Sequence, residues 1–129
     1  MMLDVIETIA PPARYLKDAN SNISVGNIVS LIDDKDHNLA CTLCKGEKPF
    51  GIVTDVCDDE RFVYVLINTA IIRTDQYEKD VRYRVGKYLY SSDQGLLTSF
   101  KKNENCWPLG HIILPPSDGD DDYLEFSWI

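Results

Sequence analysis

The sequence predicts an all-β fold, a small antiparallel β-barrel or sandwich with an extended N-terminal arm. Three observations carry that prediction. Gly86 to Thr98 reads as a hairpin. Tyr88 and Tyr90 alternate with Leu89 at the two-residue side-chain period of a strand, and Ser91-Ser92-Asp93-Gln94-Gly95 supplies the turn. Gly95 is free to take a positive φ there, and Leu96-Leu97-Thr98 begin the return strand. Short runs of strand-forming residues then recur along the chain, separated by polar turns at the spacing of a sandwich or barrel. No glycine-rich turn leads into a helix, and no catalytic constellation is announced by motif.

Residues 1–22 read as an arm or an edge-lying extension, only loosely tied to the core, and 23–129 as the barrel domain. Within the arm, Val5 to Ala10 extends as a strand, Pro11-Pro12 interrupts it, and Asp18 to Asn22 has loop composition. Val25 to Ile32 is the first strand of the domain, closed by Asp33 to Asp36. Asn38 to Leu43 forms a second strand, Lys45 to Pro49 a turn, and Phe50 to Val56 a third strand. Arg61 to Ile67 is the densest strand-forming run, and its near-continuous apolarity predicts burial on both faces or close contact with a neighbour. Ala70 to Thr74 continues after Asn68, and Asp75 to Val85 is a charged connection. After the hairpin, Cys106 to Leu114 gives a strand entered through Pro108 and Gly110. Pro115 to Asp122 is a rigid, then acidic loop, and Tyr123 to Ile129 closes the sheet.

With 129 residues there is length for one self-sufficient core, and 44% hydrophobic with 26% charged residues are globular values. Thirteen Lys and Arg against 21 Asp and Glu leave a net charge of −8. That balance opposes a nucleic-acid backbone or an anionic membrane as partner, since both are bound through cations. No run approaches the roughly 20 apolar residues of a membrane helix. The start, Met1-Met2-Leu3-Asp4, has an acid where a secretion signal needs a base. A protein made and kept in a cytoplasm until it joins an assembly is the expectation.

Cys41 and Cys44 form a C-x-x-C, with Cys57 and Cys106 alone. A zinc site wants a second close pair, which is missing, and a thioredoxin-type motif wants a βαβ context. Reduced structural thiols are the first reading, two disulfides the second, and a metal the third. His37 sits in a polar turn and His111 in a strand, neither with a nucleophile beside it by motif. The run Asp118 to Asp122 lacks the spaced ligands of a calcium loop and reads as a solvated acidic loop. No catalytic residue, cofactor or metal is assigned. From Asn103 onward there is no Lys or Arg, an asymmetry that suits docking against a basic surface. Tyr88, Tyr90, Trp107, Phe126 and Trp128 are candidates for core or for interface anchors.

Several stretches in order resemble a bacteriophage head decoration (capsid cement) protein of the small β-barrel kind. They are Val25-Gly26-Asn27-Ile28-Val29-Ser30-Leu31, Lys48-Pro49-Phe50-Gly51-Ile52-Val53-Thr54-Asp55 and Val65-Leu66-Ile67-Asn68-Thr69-Ala70-Ile71. The hairpin Gly86 to Thr98 and the ending Leu109-Gly110-His111-Ile112-Ile113-Leu114 with Leu124-Glu125-Phe126-Ser127-Trp128-Ile129 complete the set. The resemblance implies a non-enzymatic virion protein on the outer capsid surface. It would bridge major capsid subunits, associate with itself as a homotrimer, and bind neither nucleic acid nor membrane. Val5, Ile6 and Ile9 of the arm are expected to contact the capsid or a sister protomer by strand addition. Trp107, Trp128 and Ile129 are expected to pack on a neighbour. The alternatives are a carbohydrate- or ligand-binding barrel of a tail or fibre, a cysteine-based metal or redox protein, and an oligonucleotide-binding barrel.

Overall fold

The computed structural model describes residues 2–33, 38–46, 48–59, 61–116 and 122–128. Among them are eleven strands and no helix: β1 (Leu3–Thr8), β2 (Ala13–Leu16), β3 (Ile28–Asp33), β4 (Leu39–Leu43), β5 (Gly51–Val56), β6 (Phe62–Leu66), β7 (Ala70–Thr74), β8 (Tyr88–Ser91), β9 (Leu97–Thr98), β10 (Gly110–Leu114) and β11 (Leu124–Trp128). The fold is all-β, as the sequence predicts. A six-stranded sheet has the order β1-β7-β11-β10-β8-β9, and a five-stranded sheet the order β2-β6-β5-β3-β4. Every strand pairing is antiparallel.

An odd number of antiparallel strands leaves its two edges pointing the same way. In the five-stranded sheet those edges, β2 and β4, meet through a parallel bridge between Lys17 and Cys41. The Asp18 N–H donates to the Cys41 carbonyl at 2.8 Å beside it. The strands therefore wrap around their own core of Ile23, Val29, Cys41, Val53, Val63 and Val65, with Tyr15 set edge-on to Phe50 at 4.9 Å.

The six-stranded sheet curls strongly. Just past β7, Tyr77 bridges Leu97 of β9 in parallel, and the Glu78 N–H donates to the Leu97 carbonyl at 2.7 Å. Inside the curl lie Ile72, Leu89, Leu97, Ile112, Leu124 and Phe126, joined by Ile28, Ile52 and Leu66 from the other sheet. Those last three sit side by side in register, so they carry one core into the other.

The hairpin forms as read, with Gly95 at φ 71° and Tyr90 opposite Thr98. Other boundaries differ for local reasons. Val25 and Gly26 form a turn, Gly26 at φ 90°, where a Cβ would strike the Gln76 side chain, so the strand starts only at Ile28. Arg61 to Ile67 is buried on both faces only in part: Val63 and Val65 lie in one core and Leu66 in the other, while Tyr64 and Ile67 reach solvent. Cys106 to Leu109 precede β10 without joining it.

The larger correction concerns residues 1–22. They are extended and lie at the sheet edges, but they are not loosely tied. β1 pairs with β7 and β2 with β6, and Pro11-Pro12 carry the chain from one sheet to the other. Leu3 and Val5 alternate toward one core and Tyr15 packs on the other, and that apolar alternation fastens them. The start of β1 is pinned by polar contacts as well. The Met2 N–H donates to Asp75 Oδ1 at 2.8 Å, and the Thr74 hydroxyl donates to the Met2 carbonyl at 2.7 Å.

Burial alone would raise the Asp75 pKa, but the Gln76 amide and the Met2 N–H bond its carboxylate and hold it below the ordinary value. A lowered folded-state pKa stabilises above the unfolded value and is lost as pH falls through the folded one. Hydrogen-exchange protection of β1 is therefore expected to drop in acid below the usual carboxylate range before that of β11 does. In Asp75→Asn this difference between the two strands is expected to vanish.

Candidate interaction surface

None of the four cysteines is in a disulfide, and they are separately placed. Residues three apart along extended chain point to opposite faces, and Cys44 directly follows β4. Cys41 accordingly lies in the five-stranded core and Cys44 in the other, so the C-x-x-C cannot present two thiols to one metal or to each other. Burial pushes the Cys41 thiol up to about 11, away from thiolate chemistry. Cys57 is half-buried, and Cys106 is buried with its Sγ 3.8 Å from Asn103 Oδ1. Among the described residues no group of three His, Cys, Asp or Glu is placed to hold a metal ion. His111 is taken up by Tyr88, ring centroids 4.6 Å apart. His37 and Asp118 to Asp121 of the acidic run lie outside the described residues.

The expected contact residues divide. Ile6 and Ile9 stand out in water, 52% and 78% exposed. Val5, their neighbour, packs against the core. Trp107 is half exposed, with Lys48 Nζ 5.5 Å above its ring. Trp128 is a correction. It lies between Gly110 and Ala70 in register, buried in the six-stranded core, and cannot anchor a neighbour. Ile129 lies outside the described residues.

Two surfaces escaped the sequence reading. An open groove of about 810 Å³ runs beside Trp107 and the exposed Phe100, lined also by Lys48, Lys102, Asp93 and Asn105. Its carboxylates are engaged, Asp93 by Lys102 and Glu78 by the Thr98 hydroxyl at 3.1 Å. The second surface is a shallow depression of about 250 Å³ bounded by Arg82, Arg84, Lys87, Lys101, Tyr88 and Tyr90. Only the charge-rich stretch 79–87 hinted at it, and the hairpin brings Lys101 back alongside.

β1 is the outer strand of its sheet, paired on one side by β7. A bulge between Val5 and Glu7, and the charges of Asp4 and Glu7, guard this edge against indiscriminate pairing. A partner strand that fits the bulge would find free backbone groups flanked by Ile6 and Ile9. No family model matches the chain, and no curated protein matches it.

Proposed function

We propose that this chain is a structural virion protein that binds the outer surface of a phage capsid lattice and stabilises the expanded head. The observation that carries the reading is the open β1 edge with Ile6 and Ile9 exposed beside it. An edge of this kind adds to a partner strand through main-chain hydrogen bonds, with the two isoleucines supplying apolar contact. Two cores joined at Ile28, Ile52 and Leu66 make a stiff block. Many such blocks on a repeating lattice gain avidity from simultaneous attachment. The in-order resemblance of residues 25–129 to small decoration barrels supports the same reading.

The test is direct. Ile6→Glu with Ile9→Glu alters two exposed side chains and is expected to change folding stability by less than about 0.5 kcal/mol each. Binding to expanded heads is expected to weaken at least about tenfold. Unchanged binding by a folded double variant would remove β1 as the attachment strand. Trp107 and Phe100 beside the groove favour a second reading, a sugar-binding module. A glycan bound by the wild type and lost in Trp107→Ala would favour it over shell attachment.

A further inference from the structure

The outward face of the six-stranded sheet is electrically polarised. Residues opposite one another in register share a face. One such row runs Glu7, Ile71, Ser127, His111, Tyr88 from β1 across to β8. Beside its β1 end stands Asp4, also exposed. In the middle, Arg73 and Glu125 neutralise each other at 3.7 Å. At the β8 end lie the two tyrosines with Arg82, Arg84, Lys87 and Lys101, the last 5.8 Å above the Tyr90 ring.

None of these four cations makes an ion pair with a described residue, and neither Asp4 nor Glu7 does. In a chain of net charge −8, four of its 13 basic residues therefore gather around one depression. Like charges so placed repel, and a carboxylate arriving between them is attracted while the tyrosines exclude water around it. The chain itself carries the matching group, at the far end of the same row.

We propose that the depression at Tyr88 and Tyr90 receives the β1 carboxylates, Asp4 and Glu7, of a second copy of this chain. Because the sheet curls through a half-barrel, the two ends of the row look in different directions. One copy cannot satisfy its own patch, and a face-to-face pair would bring two convex surfaces together. The contact is therefore head-to-tail, a heterologous interface. It is compatible with strand addition at the same edge. Backbone hydrogen bonds point within the sheet plane, while Asp4 and Glu7 stand perpendicular to it.

Light scattering on the purified chain, without any shell, separates this contact from capsid attachment. At low salt the mass is expected to exceed the 14.7 kDa of one copy and to fall toward it as salt screens the pairing. Arg84→Glu with Lys87→Glu, and separately Asp4→Lys with Glu7→Lys, are each expected to raise the dissociation constant at least about tenfold. A chain carrying all four reversals regains complementary ends and is expected to recover the wild-type mass. The thermal midpoint of each variant reports that the barrels remain folded. A monomeric wild type at low salt, unaltered mass in either double variant, or failure of the fourfold exchange to restore assembly would overturn the proposal. Retention of a single-stranded oligonucleotide by the patch, with oligomer mass unaffected by the reversals, would overturn it as well.

Discussion

Removing residues 1–17 is expected to abolish cooperative folding, whereas removing residues 1–9 leaves a folded chain. The difference lies in β2. Its four residues cover β6 along the register Ala13–Val65 to Leu16–Phe62, and the seam to β4 is made directly after it at Lys17 and Cys41. Without β2 the wrapped sheet opens. Val63, Val65 and Cys41, all fully buried, would then face water, and Phe50 would lose the Tyr15 ring. Each valine is worth about 1.5–3 kcal/mol of burial, against a total stability for such domains of about 5–15 kcal/mol. The shorter truncation costs the β1–β7 pairing and the partial burial of Leu3 and Val5, about 3 kcal/mol. Urea unfolding followed by near-ultraviolet circular dichroism distinguishes the two. A loose arm would let both truncated chains melt like the full one.

Gly110→Ala is expected to be the most damaging single methyl in the chain. Gly110 lies in the middle of its sheet, opposite Leu89 on one side and Trp128 on the other. A Cβ there would fall on the Ser127 carbonyl, a backbone group that cannot rotate away. Either β10 or β11 must move, and both carry the core through Ile112 and Phe126. The expected cost exceeds about 3 kcal/mol. Gly86→Ala is the control. Gly86 also needs its glycine, with φ at 82°, but a Cβ added there meets nothing within 4 Å. Its cost is confined to the left-handed strain of about 1–2 kcal/mol. Equal losses of thermal midpoint in the two variants would contradict the packing described for β10.

The elements with clean alternation were legible from sequence. Tyr88-Leu89-Tyr90 and Leu124 to Trp128 present alternate residues to the core and the outside. Alternation names the faces of a strand but not the strand beside it. That is why the pairing of residues 3–8 with 70–74, far apart along the chain, could not be read from Val5, Ile6 and Ile9 alone. It is also why Trp128, near the end of the sequence, turned out to be interior. The C-x-x-C was the reverse case. Once Leu39–Leu43 is a strand, three-residue spacing already parts Cys41 from Cys44, and the structure places them in different cores. The basic depression is assembled from residues 82–87 and 101 by the fold of the hairpin, a non-local arrangement that charge counting along the chain does not register.

Everything functional proposed for this chain reduces to its being a rigid piece held on a larger surface. The most direct measurement is co-sedimentation of the purified wild-type chain with the emptied, expanded phage heads proposed to bind it. Saturation at a fixed number of copies per capsomer, with loss of binding in the Ile6→Glu and Ile9→Glu double variant, is the expected result. A chain that stays in the supernatant at micromolar concentration whether or not heads are present would contradict it.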